Sequence, residues 1–187
     1  MTIYDKGLLS AMKEAYKVTG YTVAVTDSSM IIQTTFWGVM LNKAAVTNSI
    51  KSLIVMHNGE IPRVGTAVNI QKKECSSMIL ETVLSTMEDL SKAYMVSGGE
   101  PIKLTRLTFD GLRVWQTTTD LKMRLADVDN QQILTIADYM DTRLVGRYLY
   151  HRDSLCSVYV LTEQGLPEDV PLLDHLAEMQ WIPVELD

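Results

Sequence analysis

Residues 103–119 read KLTRLTFDGLRVWQTTT. Alternating runs flank Asp110-Gly111, a pair suited to a two-residue hairpin, because a type I′ turn needs positive φ at both central positions. The pattern predicts antiparallel strands in which Phe109 faces Leu112 and Leu107 faces Val114 on one side, with Arg106 facing Trp115 on the other. LKMRLA (121–126) extends the sheet. This signal sets the expected fold class as α+β: a mostly antiparallel sheet of hairpins packed with four to five helices.

Upstream, Asp5 can cap a helix whose Leu8, Met12, Ala15 and Tyr16 share one face, with Gly20 placed to end it. YTVAVT (21–26) and MIIQTTF (30–36) form a second hairpin around Asp27-Ser28-Ser29, burying Val23, Val25, Met30 and Ile32. A helix is expected between Asn42 and Gly59 on the stripe Val46, Ile50, Leu53 and Ile54, and Pro62 forbids its continuation. TAVNI (66–70) is a strand. From about Glu74, Ile79, Val83, Met87, Leu90 and Tyr94 mark a long helix that ends at Ser97-Gly98-Gly99.

Downstream, Asp129 and Gln132 have the spacing of a capping box before a short helix. RLVGRYLYH (143–151) and SLCSVYVLT (154–162) are expected as strands joined at His151-Arg152-Asp153. A last helix carries Leu172, Leu173 and Leu176, and WIPVE (181–185) is an edge strand, since Pro183 would cost a ladder bond in a central one.

Gln-Thr-Thr occurs twice, at 33–35 and 116–118. An offset of 83 also pairs Asp27 with Asp110 and Met40 with Met123, and an offset of 81 pairs Val64-Gly65 with Val145-Gly146 and Cys75-Ser76 with Cys156-Ser157. The Ser97–Pro101 break then divides the chain into an N-terminal half, 1–97, and a C-terminal half, 101–187, as an internal repeat would. Packing as a single domain is the alternative. One feature opposes a repeat: the first offset equates Leu107 with Ala24, which places the buried residues of the two hairpins on opposite pleat faces.

A chain of 187 residues can bury roughly 70% of its unfolded surface, so it needs no disulfide or metal to fold. The net charge of −6 works against polyanion binding, making nucleic acid an unfavoured partner. The first twenty residues lack a secretory pattern and no apolar run approaches ~18 residues, so a cytoplasmic protein without a membrane span is expected. Cys75 and Cys156 form no C-x-x-C pair and are expected as buried small hydrophobes.

The sequence contains no G-x-G-x-x-G, phosphate loop or nucleophile elbow. His151-Arg152-Asp153 matches only the start of a kinase catalytic loop and is expected as a hairpin turn. No catalytic residue, metal ligand or cofactor is assigned. Partner or ligand contacts are placed on RYLYHRD (147–153), through Arg147, Tyr148, Tyr150, His151 and Arg152, and on Trp37, Arg106 and Trp115, residue types enriched at interface anchors. In element order the opening of the chain is similar to small sensor folds of the GAF, PAS and roadblock type, a likeness of topology that carries no function. The expected function is a non-catalytic regulatory or accessory protein that binds a protein partner or small ligand, with homo-oligomers compatible. The alternatives are an unclassified enzyme with dispersed catalytic residues, and an assembly protein of a larger complex or mobile element.

Overall fold

The structure is a computed structural model that describes residues 5–72, 74–109, 111–127 and 142–164. Helix α1 (Asp5–Val18) buries Leu8, Met12 and Ala15. Gly20, at φ +79°, ends it by donating to the Ala15 carbonyl at 2.6 Å. Strands β1 (Tyr21–Val25), β2 (Ser29–Gln33) and β3 (Trp37–Asn42) form a meander. Helix α2 (Asn48–Asn58) follows, with Thr47 accepting from the Ile50 N–H at 3.4 Å and Gly59 at φ +85° closing it. Strands β4 (Thr66–Gln71) and β5 (Glu74–Met78) lead into α3 (Leu80–Ser97). The C-terminal half consists, among the described residues, of β6 (Glu100–Phe109), β7 (Leu112–Thr117), β8 (Met123–Asp127), β9 (Arg143–Val145), β10 (Tyr148–Arg152), β11 (Cys156–Leu161) and β12 (Glu163–Gln164).

All twelve strands join one sheet, in the order β12-β8-β7-β6-β9-β10-β11-β3-β2-β1-β4-β5, and every pairing is antiparallel. This corrects the expected fold class. The molecule is mostly sheet with three α-helices among the described residues, not hairpins among four to five helices. The physical reason is that two stretches assigned to helix or left unassigned are strands. WGVMLN (37–42) is buried on both faces for most of its length, so it shows no alternation, and ECSSM (74–78) pairs with β4 before α3 begins. The helices expected at 129–137 and 172–179, and the strand at 181–185, lie outside the described residues.

RLVGRYLYH is likewise two strands. Gly146, at φ +61°, and Arg147 form a two-residue turn that sets Val145 opposite Tyr148. The following turn starts at Asp153, so His151 and Arg152 belong to β10. The hairpin at 103–119 forms with Phe109 opposite Leu112 and Gly111 at φ +78°; Asp110 is outside the described residues. Its register then shifts, so that Leu104 rather than Arg106 faces Trp115. A β-bulge accounts for the shift. The Thr105 hydroxyl donates to the Val114 carbonyl at 2.8 Å and accepts from the Leu107 N–H at 3.1 Å, satisfying backbone groups the ladder leaves unpaired.

Both sheet faces are covered in the middle of the molecule. On one, Leu8, Met12, Ile50, Leu53 and Ile54 of α1 and α2 meet Val23, Val25, Met30 and Ile32 in a cluster that runs on to Leu104 and Trp115. On the other lies α3. It packs Val83 against Ala24, Ile31 and Ala67, and Met87 and Leu90 against Val145, Tyr150 and Tyr159, so it crosses from the N-terminal strands to the C-terminal ones. The two halves meet where β3 pairs with β11.

The order β3-β2-β1-β4-β5 matches β8-β7-β6-β9-β10 strand for strand. Gln33 and Gln116 both lie near the end of the second strand of a meander, opposite Thr22 and Lys103 respectively. The bulge moves Leu104 into the position that Val23 holds, which removes the conflict of pleat faces. The other identities do not follow: Val64-Gly65 precedes β4 whereas Val145 ends β9 and Gly146 follows it, and Cys75 lies in β5 while Cys156 lies in β11.

Candidate functional site

The strand registers build the site. Asn69, Thr22, Gln33, Gly38, Tyr159 and Tyr150 are successive cross-strand partners over β4, β1, β2, β3, β11 and β10. This row points to the α3 face. The next row contains Ala67, Ala24 and Ile31, and its small residues let α3 approach the sheet. Beside the helix, four residues of this row, Asn69, Thr22, Gln33 and Tyr159, form the floor of a cleft of about 490 Å³, walled by Thr82 and Thr86 of α3, Thr34 and Thr35 of the β2–β3 turn, and Arg147 and Tyr148.

Gly38 shapes this floor. A Cβ at Gly38 would lie 2.4 Å from Cε1 and 2.8 Å from the hydroxyl of Tyr159, so only a missing side chain lets the Tyr159 ring cross β3. The phenol then reaches Gln33 on the far side and donates to its Oε1 at 3.3 Å. Burial pushes the Tyr159 phenol above its ordinary range, with Tyr148 adding to the shift, so it remains a protonated donor. Tyr148 meets Tyr159 edge to face, with centroids 5.4 Å apart, and the Arg147 guanidinium lies 5.7 Å from the Tyr148 ring centre. Asn69 donates to the Thr22 hydroxyl at 3.3 Å. The tip that carries Arg147 is pinned, since the Arg147 carbonyl accepts from the Thr162 N–H at 2.9 Å and from its hydroxyl at 2.8 Å.

Of the residues singled out in sequence, Arg147 and Tyr148 come together in this cleft. The others are dispersed. Trp37 and Trp115 are core residues, and Arg106 is exposed beside the bulge. Tyr150 lies under α3 with its ring 5.3 Å from Tyr94 and its hydroxyl buried without a partner. His151 is 3% exposed, makes no hydrogen bond at either ring nitrogen, and places Nε2 4.0 Å from Asp153 Oδ2. Burial opposes ionisation of Asp153, but the Leu155 and Cys156 N–H groups and His151 outweigh it and hold the carboxyl below its ordinary range. Arg152 donates to the Ser91 hydroxyl at 2.8 Å. Cys156 is buried as expected, whereas Cys75 is exposed, because β5 is an edge strand whose side chains are all exposed.

Sequence reasoning missed Thr22, Asn69, Gly38, Tyr159, Thr82 and Thr86. Its available signal was weak: single polar residues, such as Thr22 and Asn69, at alternate positions of otherwise apolar strands.

A second cluster joins α1 and α2. His57 stacks on Tyr16 with ring centres 3.8 Å apart, and its Nδ1 lies 2.9 Å from the Tyr21 hydroxyl. Burial, helped by Lys13, lowers the His57 pKa. No group of three or more His, Cys, Asp or Glu among the described residues could hold a metal ion, and no described helix is long and apolar enough to cross a membrane. No protein-family model matches the sequence, and no curated protein is significantly similar to it.

Proposed function

We propose that the protein is a non-catalytic regulatory or accessory protein that binds a small ligand in the cleft beside α3. One observation carries this reading: Asn69, Thr22, Gln33 and Tyr159, members of one cross-strand row that spans the seam between the halves, line a cleft beside a helix that covers the row next to it. The cleft volume falls within the range of small-molecule sites, and its size favours such a ligand over a protein surface. The donors and acceptors of its floor are fixed by cross-strand register, so they add little ordering cost to binding. The shared strand order of the halves supports their descent from one duplicated unit, with the cleft along the join. Native mass spectrometry after exposure to a cellular small-molecule extract tests the function. Wild type should retain a small-molecule adduct and the cleft-filling Thr86→Trp variant should lose it; equal adducts on both would reject the cleft.

A further inference from the structure

We infer that the ligand of this cleft is an oxyanion, a carboxylate or phosphate monoester carried on a flat ring, and that Arg147 is its counter-charge. The inference rests on the cleft being a binding site and adds the chemistry of what it takes. The chain carries 23 Asp and Glu, yet none of the described residues lining the cleft is acidic. The cleft's only charge among those residues is the guanidinium of Arg147, which has no carboxylate within ion-pair distance among the described residues. A cation in that position, on a turn pinned by Thr162, is left to pair with whatever enters. An arginine fork recognises carboxylate and phosphate in two parallel hydrogen bonds, which the surrounding threonine hydroxyls and the Asn69 and Gln33 amides can supplement.

The ring follows from Tyr148. Its edge-to-face contact with Tyr159 holds the phenol upright beside Arg147, leaving an aromatic wall next to the charge. A ligand with an anionic group on a planar ring would meet both at once. The first turn of α3 works in the same direction: Ile79 offers no side-chain cap, Thr82 lines the cleft, and the one acid of that turn, Glu81, is exposed and outside the lining.

The test uses saturation-transfer NMR with matched pairs of small aromatic compounds: aryl phosphates and carboxylates, each with its uncharged alcohol or amide. It is run on wild type, Arg147→Met, Arg147→Lys and Thr86→Trp, and Arg147 is exposed enough that both of its substitutions leave the core untouched. Among compounds whose binding Thr86→Trp abolishes, the charged members should dominate. Arg147→Met should weaken them at least about tenfold, and Arg147→Lys should restore part of the loss. Preference for phosphates or for carboxylates within the charged set identifies the group. Equal binding of charged and uncharged members, unchanged in Arg147→Met, overturns the oxyanion and leaves the cleft standing. Absence of any compound sensitive to Thr86→Trp overturns both.

Discussion

Gly38→Ala tests the construction of the cleft floor. Gly38 has ordinary extended backbone, so alanine alone would stabilise the fold by about 0.4–1 kcal/mol by restricting the unfolded chain. The new methyl, however, would sit 2.4 Å from Cε1 and 2.6 Å from Cζ of a Tyr159 ring that is 2% exposed. Overpacking of this kind costs about 1–3 kcal/mol. Displacing the ring also breaks the Tyr159–Gln33 hydrogen bond, worth about 1 kcal/mol. The net expectation is a loss of about 1–3 kcal/mol, read by urea unfolding. Repeating the substitution in a Tyr159→Val background isolates the contact: there Gly38→Ala should be neutral or stabilising, giving a coupling of at least about 1 kcal/mol. A Gly38→Ala protein as stable as wild type, or one that loses the same amount in both backgrounds, would refute the reasoning.

Three further outcomes are expected. Thr105→Val should lower stability by about 1–3 kcal/mol, because it strands the Val114 carbonyl and Leu107 N–H at the bulge; an unchanged urea midpoint would show that the bulge does not depend on this hydroxyl. Gly111→Val should cost more than about 1 kcal/mol, since a β-branched residue resists φ near +78°, and equal melting temperatures would contradict it. His57 has a folded pKa below its ordinary 6.5, so the unfolded chain takes up the proton first. Its contribution is therefore complete above that value and is lost as pH falls through 6.5 toward the folded pKa. Wild type should lose stability over that window more steeply than His57→Gln, and parallel pH profiles would refute the assignment.

What could be read from the sequence was local. The α1 face, the β1–β2 hairpin, the α2 stripe and the stop at Gly98 each depend on periodicity or on a residue that tolerates positive φ, and each signal lies within a few positions. Strand β3 was hidden because burial on both faces removes alternation from Trp37 to Val39. The Arg106–Trp115 pairing failed because a side chain, Thr105, reset the register through hydrogen bonds that no turn rule contains. The split of 143–151 was within reach, since Gly146 is the residue a two-residue turn needs, but the apolar and aromatic run around it reads as continuous strand. The site was the least legible part. Its floor takes one residue from each of four strands, and the feature at Gly38 that lets Tyr159 reach Gln33 is an absent side chain. Arg147 and Tyr148 were found through their chemistry alone, and the same reasoning also selected Trp37 and Trp115, which are core residues.

The central claim, that the cleft beside α3 is the binding site, is tested most directly by NMR titration of protein labelled at threonine and methionine methyl groups with the aryl phosphate and carboxylate set. Shifts confined to the cleft-lining Thr19, Thr22, Thr34, Thr35, Thr82, Thr86 and Met78, with Met56 and Met95 unmoved, are the predicted result. Saturable shifts at Met56 or Met95 while the threonines of the cleft stay still would contradict it.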